Sequence, residues 1–183
     1  MLRLIKARVI PRKSVSKWLV VVAIGVAAFS RLYALDVLPP QVWFDEIWFA
    51  LKARQSLQTG SIPVFYKTYW GGVHPLMVIL TAVVQALGFD SPISPRVISS
   101  LSGILAIPLA YLCFNELWHD TQLPQAPPTI PVVTVLILSN LTSYVVLSRV
   151  GLEWSLAAVL TLGCVWLFHY ARRTGRLVAW ILN

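Results

Sequence analysis

The sequence predicts an all-α fold, a multi-pass transmembrane helical bundle with interfacial helices in its first external loop. Three observations carry that expectation. The mean hydropathy is +0.73, with 57% hydrophobic and only 12% charged residues, too apolar for a soluble domain of this size. The apolar residues fall in long blocks, which need a lipid solvent because a chain this short lacks the polar surface to cover them. The basic residues, 15 against 7 acidic, flank those blocks. Arg3, Lys6, Arg8, Arg12, Lys13 and Lys17 precede the first block, and Arg172, Arg173 and Arg176 follow the last long one. Basic tails can also mark nucleic-acid binding, but flanking apolar blocks they follow the positive-inside pattern, so no nucleic-acid partner is expected.

Taken in order, residues 1–17 form a basic, cytoplasmic N-terminus. The apolar run Trp18–Leu35, about eighteen residues, is long for a signal-peptide core and lacks a convincing small-residue cleavage site, so it reads as an uncleaved first span. Further apolar stretches follow at Pro75–Phe89, Val97–Trp118, Ile130–Leu147 and Leu152–Tyr170. With both basic ends on the cytoplasmic side, an even number of crossings must precede Arg172. Pro75–Phe89 is the stretch that does not cross, since it reaches only about 22 Å as a helix against a hydrocarbon core of roughly 30 Å. It is expected to lie in or against the outer interface.

Four spans then remain, with an external loop from Asp36 to about Pro95. In that loop, Asp45–Gln58 spaces Ile47, Phe49, Ala50, Ala53 and Leu57 as one helical face opposite Lys52, Arg54 and Gln55, and Gly60 is a stop. Such a helix would lie on the membrane with Trp43, Phe44 and Trp48 at headgroup level. The Pro-rich loop His119–Thr129 is cytoplasmic in this topology, although it carries no basic residue. A last apolar segment from Leu177 stops at Asn183, so residues 18–183 read as the front part of a longer transmembrane domain. Cys113 and Cys164 lie within apolar runs and are expected to be buried hydrophobes without a disulfide or metal role. Asn140-Leu141-Thr142 has the form of a glycosylation acceptor, but it falls mid-span and out of reach. Asn140 is expected to hydrogen-bond to a neighbouring helix instead.

In this topology the unusual polar residues gather on the outer side: Asp45 and Glu46 in the first loop, His74 at the interfacial helix, Arg96 at the mouth of the second span, and Arg149 and Glu153 between the third and fourth. A carboxylate can serve as general base toward a hydroxyl, and arginine recognises phosphate through a planar fork of donors. Each residue also has a purely structural reading. Asp45-Glu46 suits a helix N-terminus, His74 a cap, and Arg96 and Arg149 the anchoring of span ends. Arg31 is expected to snorkel or to pair with Asp36, and the loop aromatics to form an interfacial belt. Lys67, between Tyr66 and Tyr69, could meet a lipid phosphate or merely a headgroup.

The order of these motifs resembles the N-terminal part of the GT-C glycosyltransferases, specifically the protein O-mannosyltransferase and aminoarabinose-transferase-like group. The residues that carry the resemblance are Asp45-Glu46 after the first span, His74-Pro75-Leu76, Arg96 followed by Val97-Ile98-Ser99-Ser100-Leu101, and Ser148-Arg149. It covers about residues 17–183, the front third of a typical member, and departs at His74-Pro75-Leu76, where members usually carry His-Pro-Pro-Leu. The resemblance implies sugar transfer from a polyprenyl-phosphate carrier on the non-cytoplasmic face of the plasma (inner) membrane. It implies Asp45 as catalytic base, with Glu46 supporting it or helping Asp45 to hold a divalent cation. It places Arg96 near the carrier phosphate, with His74 retained and Arg149 and Glu153 in the second external turn. Two other classes fit the residues: a non-catalytic multi-span assembly or scaffold subunit, and a transporter. A transporter would carry its ionisable groups nearer the bilayer midplane.

Overall fold

The structure is a computed structural model that describes residues 12–61, 66–68, 71–73, 75–89, 93–120 and 129–175. Seven helices account for nearly all of them: α1 (Arg12–Leu32), α2 (Phe44–Thr59), α3 (Pro75–Ala86), α4 (Ser94–Asp120), α5 (Ile130–Asn140), α6 (Thr142–Arg149) and α7 (Trp154–Thr174). The all-α expectation needs one amendment, a short antiparallel ladder in the first loop between β1 (Tyr66–Thr68) and β2 (Gly71–Val73), with Tyr66 opposite Val73.

Helix α4 is the centre of the molecule, since it packs against all six other helices and most extensively against α7. Two apolar clusters form around it. In one, Phe49 and Ala53 of α2 meet Met77, Val78, Ala82 and Val84 of α3, over Ile98 of α4 and Leu156 of α7. The other joins Val20, Ala23 and Ala27 of α1 to Ile107 and Ala110 of α4 and to Val132 and Val135 of α5. Gln85 ties the α2–α3 pair to α4, its amide donating to the Ala50 carbonyl at 3.0 Å and to Ser94 Oγ at 3.1 Å.

Two described helices, α4 over Ser94–Leu117 and α7, are long and apolar enough to cross a bilayer. The α5–α6 pair makes a third if it counts as one span. That pair corrects the expectation of one continuous helix over Ile130–Leu147, because the axis bends by 55° at Leu141. The break falls in the polar run Ser139-Asn140-Leu141-Thr142-Ser143, whose side chains compete with the helical backbone for hydrogen bonds. Asn140 donates to the Leu136 carbonyl of its own helix and to Ser139 Oγ, both at 3.0 Å, rather than to a neighbouring helix. Helix α3, at 12 residues, spans about 18 Å and is too short to cross.

Helix α2 begins at Trp43, whose N–H donates to Glu46 Oε2 at 2.9 Å, and ends at Gly60 in the left-handed conformation, φ 66°. Its buried stripe is Glu46, Phe49, Ala50, Ala53 and Ser56. Phe49, Ala50 and Ala53 of the expected apolar face pack inside, whereas Ile47 and Leu57 are exposed, and Phe44, Ile47 and Leu51 make an outward apolar stripe.

Candidate functional site

Glu46 and Arg96 form the best-defined polar centre. Arg96 opens α4 and Glu46 lies in the first turn of α2, and both side chains are buried, at 2% and 0% exposure. Arg96 donates side-on to the carboxylate, Nε to Oε1 at 2.9 Å and Nη2 to Oε2 at 3.1 Å. The same carboxylate accepts the Gly151 N–H on Oε1 at 2.6 Å and the Trp43 N–H on Oε2. Four donors therefore saturate Glu46, which offsets the cost of burying its charge.

The remaining donors of Arg96 hold the loop after α1. Nη1 donates to the carbonyls of Leu35 at 3.4 Å and Pro39 at 2.9 Å, and Nη2 to that of Gln41 at 2.8 Å. All five guanidinium N–H groups are thereby engaged. Arg149, at the end of α6, grips the same loop from the other side. Its Nη1 donates to the Ser30 carbonyl at 2.6 Å, and its Nη2 to those of Tyr33, Ala34 and Leu38 at 2.8, 3.2 and 3.0 Å. The Ser30 contact satisfies a carbonyl in the last turn of α1, where a cation also complements the helix dipole, and the others hold the loop that follows. Two arginines thus clamp the chain that leads into Asp45.

Close backbone approach makes the centre possible. A Cβ on Gly151 would lie 2.7 Å from Pro95 Cβ and 3.0 Å from Arg96 N, so only glycine brings this N–H to Glu46. Ser100 Oγ reaches the carbonyls of both Arg31 (3.3 Å) and Ser148 (3.2 Å), and Ser99 Oγ that of Leu152 (3.1 Å), so small hydroxyl residues on α4 seat α1, α6 and the start of α7. Gly151 has no role in the sequence reading, and Ser99 and Ser100 appear there only within the motif after Arg96. A glycine between the apolar residues Val150 and Leu152 is the one local signal that could have found the first of them.

Asp45 faces the other way. It is exposed, flanked by Trp43 at 55% and Phe44 at 77% exposure, and its carboxylate has no partner among the described residues. Glu153 sits half-buried at the start of α7 and makes no described side-chain hydrogen bond. His74 lies outside the described residues, and so does the side chain of Lys67, so their expected roles have no geometry here. Arg31 departs from its expected snorkelling: it is wholly buried and bonded to the Ser139 carbonyl at 3.3 Å, without Asp36.

The expected divalent cation does not fit the Asp45–Glu46 pair. Both oxygens of Glu46 already accept two hydrogen bonds each, and its charge is spent on Arg96. No group of three His, Cys, Asp or Glu residues able to hold a metal occurs among the described residues. A cleft of about 250 Å³ lined by Arg54, Leu57, Gln58 and Gln85 lies at the far end of α2 and belongs to a different surface from Asp45. Comparison with family profiles, with curated proteins and with solved structures returned no match for this chain. The likeness to the GT-C enzymes therefore rests on the residues quoted for it.

Proposed function

We propose that the chain is the N-terminal part of a membrane glycosyltransferase of the GT-C type. It would move a sugar from a polyprenyl-phosphate carrier to an acceptor hydroxyl on the non-cytoplasmic face of the plasma (inner) membrane. The single observation that carries this reading is the division of labour between adjacent carboxylates. Glu46 is locked inside by Arg96, Gly151 and Trp43, while Asp45 is held outward and unpartnered beside exposed aromatics. An accessible carboxylate without a partner can come within hydrogen-bond reach of a hydroxyl and take its proton.

In this mechanism Asp45 accepts the proton of the acceptor hydroxyl as its oxygen attacks the anomeric carbon. The bond from that carbon to the carrier oxygen breaks, and the carrier leaves as a phosphate monoester. No step passes through a metal ion. Arg96 has no donor left for the leaving group, so its contribution is to position the loop and Glu46. Arg149 retains its Nε–H and an Nη1–H without a described partner, and we assign it the phosphate that the resemblance gave to Arg96. Lys67, His74 and Glu153 remain substrate-binding assignments on sequence grounds alone.

The bilayer supports this reading. Phe44, Ile47 and Leu51 give α2 an outward apolar stripe for the membrane interface, where a carrier with a lipid tail would be met. Counting α1 as a crossing beside α4, the α5–α6 pair and α7, the positive-inside pattern would put the N-terminus in the cytoplasm and Asp45 outside.

The test is transfer from a polyprenyl-phosphate sugar in proteoliposomes holding the full-length protein. Asp45→Asn should lower turnover by about 10²–10⁴-fold, the usual worth of a general base, while insertion and thermal stability stay unchanged. Undiminished transfer would remove Asp45 as base. A second reading, a non-catalytic multi-span assembly subunit, draws on the closed Glu46–Arg96 centre, which is complete without a ligand. It requires that no polyprenyl-phosphate sugar be turned over by the unmodified protein.

A further inference from the structure

Arg31 is a guanidinium buried without an acidic partner. All its described hydrogen bonds come from Nη1, to the carbonyls of Ala27 and Ser139 at 3.3 Å and to Ser30 Oγ at 3.4 Å. Nε and Nη2 are buried and donate to nothing among the described residues. Those two nitrogens form the side-on edge of the guanidinium, the edge by which Arg96 holds the Glu46 carboxylate. The described residues thus include two buried arginines, one with this edge filled by a carboxylate and one with it bare. A bare buried edge is costly, because a charged donor loses its water and gains no acceptor.

A second set of orphans meets it. Tyr144 places its ring 5.1 Å from the Arg31 guanidinium carbon, and its hydroxyl is also buried without a described partner. Tyr144 lies in the first turn of α6, just past the break at Leu141, and Nη1 grips the Ser139 carbonyl two residues before that break. The backbone N–H groups of Thr142, Ser143 and Tyr144 donate to no described residue, and Leu141 supplies no side-chain cap. A Cβ on Gly103 would sit 2.5 Å from Ser148 Cβ and 2.9 Å from Arg31 Nε, so glycine there lets α4 pack closely against both residues.

We propose that Arg31 and Tyr144, at the α5–α6 break, form a binding site for a single oxyanion, a carboxylate or phosphate group. Arg31 Nε and Nη2 take two of its oxygens side-on, Tyr144 donates its hydroxyl, and the start of α6 adds its dipole. The half-buried Tyr144 ring is the cover over the cation, and the exposed residues Asn140, Leu141, Thr142 and Ser143 are the rim by which the anion arrives. The site is separate from Asp45. The proposal uses neither Asp45 nor Arg149, although Arg149 follows Tyr144 by five residues on α6 and bonds the Ser30 carbonyl beside Arg31.

The anion could be a phospholipid headgroup or a soluble phosphate or carboxylate, and one experiment separates them. The purified full chain is placed in phosphatidylcholine nanodiscs, and its thermal midpoint is titrated with sodium phosphate and sodium acetate at constant ionic strength. The measurement is repeated in discs that also contain phosphatidylglycerol. A midpoint that climbs with soluble anion assigns a soluble ligand, and one that climbs only with phosphatidylglycerol assigns a headgroup. In either case Arg31→Lys, which keeps the charge but loses the fork, should weaken the response at least about tenfold, and Tyr144→Phe by about tenfold. Asp45→Asn should leave it unchanged. No response to any of the three anions, or an undiminished response in Tyr144→Phe, overturns the proposal. Where Arg31→Lys does not fold, Tyr144→Phe carries the test alone, since it deletes only one unpartnered hydroxyl.

Discussion

At the residue scale, Glu46 is the position where the smallest chemical change should do the most damage. Glu46→Gln keeps the shape and removes the charge, leaving Arg96 buried and unpaired. Breaking such a pair costs about 3–5 kcal/mol, to be read as a fall in the thermal midpoint in detergent. Adding Arg96→Met should recover part of that loss, because removing both charges spares the desolvation that either alone suffers. Asp45→Asn, one residue away, should shift stability by no more than about 0.5 kcal/mol, as expected of an exposed site. The contrast separates a structural carboxylate from a free one within a single dipeptide. Gly151→Ala should cost about 1–3 kcal/mol through overpacking, since the added methyl meets Pro95 Cβ at 2.7 Å. The pair Asp45-Glu46 was legible in the sequence, but which member turns inward was not. Adjacent residues on a helix point about 100° apart, and the choice was made by partners on α4 and at Gly151.

At the scale of the element, α2 illustrates how far periodicity reaches. Its existence and its stop at Gly60 follow from local spacing and a local backbone preference. Gly60→Ala should destabilise by about 1–2 kcal/mol, because a Cβ is strained at this left-handed φ, measured as earlier melting. The face that α2 buries was less legible. It carries two apolar stripes, and the one chosen includes Glu46 and Ser56 while leaving Ile47 and Leu57 outside. An apolar count finds Phe49, Ala50 and Ala53 but misses Glu46, since a buried carboxylate counts against a face until its arginine is known. The α5–α6 break had only a polar run to announce it, with no proline or glycine, and its stabilising partner, Arg31, is 108 residues away from Ser139.

At the scale of the whole molecule, the placement of Asp45 on one side of a bilayer is the claim on which the proposed chemistry stands. Single cysteines at Ser61, Ser91 and Thr121, in a background lacking Cys113 and Cys164, test it in intact cells. Labelling at Ser61 and Ser91 from outside, with Thr121 protected, is expected if α3 stays at the interface. Protection at Ser91 with labelling at Thr121 would place α3 across the membrane, which the Arg96–Glu46 contact opposes, and would overturn the outward placement of Asp45. The length of α3 argues for the first outcome, as 12 residues fall short of the hydrocarbon thickness.

By itself, the amino-acid sequence determined where most of the helices lie, that they are apolar enough to suit a bilayer, and that the acidic residues are few. Hydropathy, helical spacing and capping are local properties, read within a window of one element. Only the tertiary structure decided that Arg96 is spent on Glu46 and the α1–α2 loop, that Arg149 clamps that loop from the far side, and that Arg31 is buried with an empty edge. Each of those outcomes depends on acceptors supplied from elsewhere in the chain, between 50 and 119 residues away for the Glu46 and Ser30 contacts. A guanidinium reads the same in every sequence. What it does is set by which oxygens the fold brings within 3 Å of it, and that is a property of packing rather than of pattern.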